Sequence, residues 1–179
     1  EEPEPFGDGG TKMAWNPFNV VSIYPNGNPV MSDVNQRWVG DCCACAVIAS
    51  MAYLYPRFVK HIIKDNMDKT YTVTMYDPKG KQISVGVGGD YFIGNSGDLG
   101  ALGGRNKEVT WATILEKAMI KWNQIYQGSS NVGGIGTEYV SAIFTGDGES
   151  VGFGANALIA EDLQRAVEVS LKQGRLVIG

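Results

Sequence analysis

The chain has 179 residues, 44% of them hydrophobic, and its 19 acidic and 15 basic side chains leave a formal charge of −4. That length suffices for one good-sized core or two small lobes. The basic residues are scattered along the chain, which argues against nucleic acid as a partner, and no apolar run reaches the roughly 18 residues that a membrane-spanning helix needs.

Residues 1–18 read as an extended acidic lead-in, because their Glu, Pro and Gly content opposes compact structure. Val20–Tyr24 has the composition of a short strand, and Pro25-Asn26-Gly27-Asn28-Pro29 is a turn. A polar stretch from Asp33 to Asp41 then feeds a helix that begins at Cys42. Asp41 suits the N-cap position, where its carboxylate would accept the free amides of the first turn, and Gly40 permits a sharp change of direction. Cys42 falls at the first helical position, where unsatisfied N–H groups and the positive end of the helix dipole favour a thiolate. From Ala44 to Leu54 the residues are small or apolar and uncharged, which predicts a helix buried nearly all round.

Gln36 lies six residues before Cys42, and a carboxamide N–H beside a backbone amide at a helix start makes a two-donor oxyanion hole. Taken alone, the same stretch also fits a buried helix with three core cysteines. Clustering of Cys42, Cys43 and Cys45 on one segment excludes a dense disulfide framework and leaves the compartment open. A zinc site there would need about four convergent ligands, and the chain holds a single histidine, His61.

Pro56 interrupts the nucleophile helix, and Arg57–Lys64 follows as a short amphipathic helix with His61 toward its polar side. The β-rich runs Tyr71–Tyr76 and Gln82–Val87 flank Asp77-Pro78-Lys79-Gly80 and predict a hairpin. Gly86–Gly104 reads as a glycine-rich loop; it lacks the lysine and the strand–helix context of a phosphate cradle. Helical spacing of apolar residues predicts a long helix over Trp111–Trp122, and Gly133 and Gly134 mark a turn beyond it. Gly152–Ala157 only superficially fits a dinucleotide fingerprint, with no strand before it. Ala160–Lys172 is a further amphipathic helix capped by Gly174, and Leu176–Ile178 an apolar strand.

Gln36, Gly40-Asp41-Cys42 and the Ala46–Ser50 run resemble the nucleophile segment of calpain-type cysteine proteases, a branch of the papain-like enzymes. So do Trp111 with Leu115-Glu116-Lys117-Ala118, the Gly133-Gly134 pair and Phe144-Thr145-Gly146. One departure is Cys43, which stands where the family usually carries tryptophan. The resemblance implies an α+β, papain-like fold. A helical lobe with a hairpin would occupy residues 19–150, and residues 151–179 would form the connection, a helix and the first strand of a β-rich lobe. It implies a peptide or protein substrate, Cys42 as nucleophile, Gln36 in the oxyanion hole and Gly133-Gly134 against the substrate backbone. The catalytic histidine and its asparagine are then expected on a second polypeptide, a C-terminal fragment of the same precursor. Asp33, with Glu108 displaced by one residue, would match calcium ligands of the family, and carboxylates with loop carbonyls suit that ion. An inactive calpain-like binding module and a cysteine-dependent transferase on the same scaffold are the alternatives.

Overall fold

The computed structural model describes residues 2–5, 13–147, 159–175 and 177. Helix α3, Trp111–Gln127, is the element around which the others pack, and every residue from Trp111 to Ile120 is buried. It continues past the expected end at Trp122 and stops where Gly128 takes a left-handed conformation with φ 73°. Against α3 lie helix α1, Cys42–Leu54, and the hairpin of β3, Tyr71–Tyr76, with β4, Gln82–Val87.

The hairpin forms where the sequence places it. Tyr71, Val73 and Met75 of β3 are buried while Thr72, Thr74 and Tyr76 are half-exposed, the alternation of a strand with one face on a core. Its turn closes because the Asp77 carboxylate accepts the backbone N–H groups of Lys79 and Lys81, both at 2.9 Å. The helix expected over Arg57–Lys64 is shorter. Helix α2 spans Pro56–Ile62, and the chain then turns extended as β2, Ile63–Asp65, which pairs antiparallel with β3 from Ile63↔Val73 to Asp65↔Tyr71. The adjacent β-branched Ile62 and Ile63 ease that change, since such side chains favour the pleated surface.

Several expectations are corrected. Val20–Tyr24 is irregular rather than a strand: Val21 points to solvent, and the Ile23 carbonyl accepts the Trp111 N–H at 2.8 Å, so its backbone completes the start of α3 instead of a ladder. Inside the supposed glycine-rich loop, Asp90–Gly94 forms strand β5, with Tyr91, Phe92 and Ile93 buried. It pairs antiparallel with β1, Met13–Pro17, which lies within the stretch read as lead-in. The Trp15 and Phe92 rings stack at 3.7 Å across that pair. Helix α4, Thr137–Thr145, was not expected; it buries Val140, Ile143 and Phe144 against α1 and β3. Helix α5, Ala160–Lys172, has the expected bounds and is followed by Gly174 at φ 71°, yet none of its residues is buried. The Gly152–Ala157 run and, apart from Val177, the Leu176–Ile178 run lie outside the described residues.

Lys117 on α3 fastens the lead-in to the core. Its ammonium donates to Glu2 Oε1 at 2.9 Å, to the Gly88 carbonyl at 3.3 Å and to the Asp90 carbonyl, and it lies over the Trp15 ring at 4.6 Å. Burial pushes its pKa down, and the Glu2 carboxylate opposes that shift.

The glycines around β5 accommodate the turn that leads into α1. A Cβ on Gly94 would stand 1.6 Å from Cζ3 of Trp38, so the indole seats where only glycine fits. The neighbouring backbone is stitched down as well: Trp38 N–H donates to the Gly100 carbonyl at 3.1 Å, Asn35 N–H to the Gly103 carbonyl at 3.0 Å, and Arg37 to the Gly104 carbonyl. Gly94→Ala is therefore expected to eject Trp38 and cost about 1–3 kcal/mol by overpacking, while Gly86→Ala, with open space around that position, leaves Trp38 seated. Urea denaturation followed by tryptophan emission checks both.

Candidate active site

Cys42 is the first residue of α1, and its thiol is exposed; Cys43 and Cys45 are partly buried. The residue before it departs from expectation. Asp41 holds the N-cap position but makes no side-chain capping bond, and its side chain is buried. The first-turn amides therefore keep their donors free of any side-chain acceptor from Asp41, and the positive end of the helix is not neutralised by a cap.

The Asp41 carboxylate turns instead toward the underside of the helix. Cys45 Sγ donates to its Oδ1 at 3.5 Å, and Glu116 of α3 lies beside it, itself fully buried and accepting the Leu102 N–H at 3.1 and 3.0 Å on its two oxygens. Burial raises the Asp41 pKa to about 6, with the Cys45, Glu116 and Gln36 contacts pulling the other way. Glu116 is raised well above the usual carboxylate range, first by burial and then by the Asp41 charge. Asp41 Oδ2 is buried with no donor when both groups are ionised, and a proton on Glu116 supplies one. The pair therefore carries one shared charge near neutral pH.

Gln36 is exposed, and its Nε2 donates to the Val39 carbonyl at 2.9 Å, which spends one of the two amide protons. The second glycine of the Gly133-Gly134 pair donates its N–H to the Gly40 carbonyl at 3.2 Å. Gly133 N–H donates to Asn131 Oδ1 at 2.8 Å. Gly134 has φ +73° and open space where a side chain would stand, so an exposed glycine backbone lies against the turn that ends at Cys42. The structure thus brings Gln36, Gly40, Cys42 and Gly133-Gly134 to one end of α1.

A family model described as calpain family cysteine protease matches residues 17–177. The chain belongs to the calpain family of cysteine proteases. Comparison with curated proteins gave no match. The α+β character of this calpain-family chain follows from its helices and small antiparallel sheets.

His61 does not join the site. It lies in the last turn of α2, beyond a helix of 13 residues whose length places about 20 Å between Cys42 and the start of α2. Asp33 and Glu108 carry the calcium expectation for this chain. Asp33 Oδ1 accepts Asn26 Nδ2 at 2.8 Å, and Oδ2 accepts Trp111 Nε1 at 2.7 Å and the Val30 N–H at 3.2 Å. Three donors of the fold therefore meet on that carboxylate. Glu108 packs on Gly104 with Oε2 buried and unpaired, and among the described residues no three His, Cys, Asp or Glu side chains gather at a metal position.

The sequence reading passed over Glu116 as part of an apolar helix. The available signal was a Glu-Lys pair inside a run of apolar residues, because a charge on a buried helix face demands a partner.

Two outcomes follow from these carboxylates. Asp33→Ala leaves the Trp111, Val30 and Asn26 donors without an acceptor and is expected to cost about 2–4 kcal/mol in urea denaturation, with Asp33→Asn milder. Asp41 titrates at about 6 when folded against an ordinary 3.8, so the folded chain binds more protons across that interval and stability falls as pH rises through it. Glu116, also raised, extends the fall upward. Glu116→Gln removes that part: stability near pH 5 stays close to that of the unsubstituted chain and near pH 8 exceeds it, measured by urea denaturation at both.

Proposed function

We propose that this calpain-family chain supplies the nucleophile half of a cysteine endopeptidase with papain-like organisation. The observation that carries the reading is the placing of an exposed Cys42 at the first position of α1, with Gln36 and the Gly133-Gly134 backbone tied to the same turn. In this mechanism the Cys42 thiolate attacks the scissile carbonyl carbon. The Cys42 amide and the remaining Gln36 amide proton receive the negative charge that develops on the carbonyl oxygen, where fixed donors act most strongly. Collapse of the tetrahedral species breaks the C–N bond, the amine leaves with a proton from a histidine, and water then hydrolyses the thioester. Gly134 gives the substrate backbone a side-chain-free surface to lie along.

The histidine and its orienting asparagine come from outside these 179 residues. Two features support this: His61 sits at the wrong end of the α1–α2 pair, and the face of α1 bearing Cys43, Ala46, Ala49 and Tyr53 is only partly covered by the described residues. The uncovered apolar side chains Leu163 and Leu171 of α5 add to it. No calcium step enters the mechanism.

Iodoacetamide labelling with peptide mapping is expected to modify Cys42 ahead of Cys43 and Cys45. Burial raises the pKa of both of the latter thiols, and a thiol reacts through its thiolate. In the enzyme assembled with its histidine-bearing partner, Cys42→Ala abolishes peptide hydrolysis and Gln36→Ala lowers kcat by about 10²–10³. Full turnover by the Cys42→Ala assembly would overturn the reading. Partner binding with no hydrolysis by the unsubstituted assembly would favour a binding module.

A further inference from the structure

Cys45 takes no part in peptide hydrolysis, yet it stands one helical turn from Cys42 with its thiol on a buried carboxylate. We propose that Cys42 and Cys45 form a reversible dithiol–disulfide site, oxidised by small hydroperoxides and restored by a dithiol reductant.

Spacing selects this pair. Residues three apart on a helix share a face, with Cβ atoms about 5–6 Å apart, and a disulfide asks for about 3.5–4.5 Å. The difference is closed at the first turn of α1, where the backbone has the fewest helical hydrogen bonds to hold it. Cys42 and Cys43 are the poorer pair. Adjacent Cα atoms are about 3.8 Å apart across a trans peptide, below the roughly 4.4–6.8 Å that disulfides span.

The surroundings divide the labour. Cys42 is exposed and meets the oxidant. Burial, then the charge shared by Asp41 and Glu116, holds the Cys45 thiol far above its ordinary value, so it stays protonated and inert toward solution reagents. Its Sγ already donates to Asp41 Oδ1 at 3.5 Å, which gives its proton a destination. The groups facing Asp41 are Cys45 and Cys43 on its own helix, Glu116 of α3 and the Gln36 amide of the preceding turn.

The chemistry balances in two steps. The Cys42 thiolate attacks a peroxide oxygen, an S–O bond forms as the O–O bond breaks, and the departing oxygen is protonated to water or an alcohol. Cys45 then gives its proton to Asp41 and attacks the Cys42 sulfur; an S–S bond forms, the S–O bond breaks, and hydroxide takes that proton to leave as water. The thiol pair loses two electrons and the peroxide gains them. The disulfide arrests Cys42 short of the irreversible sulfinic acid and withholds it from peptide attack. That last consequence rests on Cys42 being the peptidase nucleophile; formation of the disulfide does not.

The test treats the full chain with hydrogen peroxide, blocks free thiols with iodoacetamide and fragments the tryptic peptide Trp38–Arg57, which carries all three cysteines. The expected product is lighter by two hydrogens, with the alkyl group on Cys43 alone, and dithiothreitol restores alkylation of all three cysteines. Cys45→Ser, checked for folding by circular dichroism, loses this recovery and accumulates sulfinic and sulfonic acid at Cys42, whereas Cys43→Ser retains recovery. A bridge between Cys42 and Cys43, an alkylated Cys45 beside an oxidised Cys42, or undiminished recovery in Cys45→Ser would each overturn the proposal. These readouts are masses, so failure of the peptidase assay leaves them interpretable, and the reverse also holds.

Discussion

The bond from Trp111 Nε1 to Asp33 Oδ2, at 2.7 Å, is the constraint on which the rest of the site depends. It joins the first residue of the central helix to the start of the segment that delivers Cys42. Around it, Thr110 Oγ1 donates to the Asp33 carbonyl at 3.2 Å and Asn26 brings the preceding turn to the same carboxylate. A tryptophan and an aspartate far apart in sequence are thereby held in one buried cluster. Because a buried carboxylate is tolerated only when its oxygens are paired, the cluster has one satisfactory arrangement. That arrangement sets where α1 begins relative to α3.

A second buried layer lies directly below. Asp41 and Glu116 meet between α1 and α3, and neither can be fully ionised without cost. Such a pair is weak as a source of stability, but it is specific: it places a polar contact under the one turn where the thiols are exposed to chemistry. Both the peptidase reading and the thiol-pair reading draw on this placement. The first needs Cys42 fixed, and the second needs Cys45 beside a proton acceptor.

Local patterns in the sequence were readable where a residue's role is decided by its neighbours in the chain. The hairpin, the start of α1 at Cys42 and the extent of α5 all follow from turn chemistry and apolar spacing. Failures came where a distant residue decides. Asp41 has the chemistry of a cap, yet its carboxylate goes to Cys45 and Glu116, and nothing near Asp41 announces Glu116. Trp111, far along the chain, donates to the Asp33 carboxylate as well. Strand β5 was hidden because glycines flank its short aromatic run, and those glycines serve the neighbouring turn rather than flexibility. Helix α4 has an apolar face, but it is short, and a proposed substrate-binding glycine pair drew the reading to its approach instead of its body.

Trp38 rests on Gly94 and Gly100 with part of its indole open to solvent, four residues before Cys42. Trp111, by contrast, is wholly enclosed and Trp122 nearly so. The chain therefore carries its own optical gauge of the turn that leads into α1. A ligand or partner that covers this end of α1 changes the polarity and quenching around Trp38 while the other three indoles, Trp15 stacked on Phe92 among them, continue to emit as in the free chain, so docking and unfolding leave separate spectral signatures.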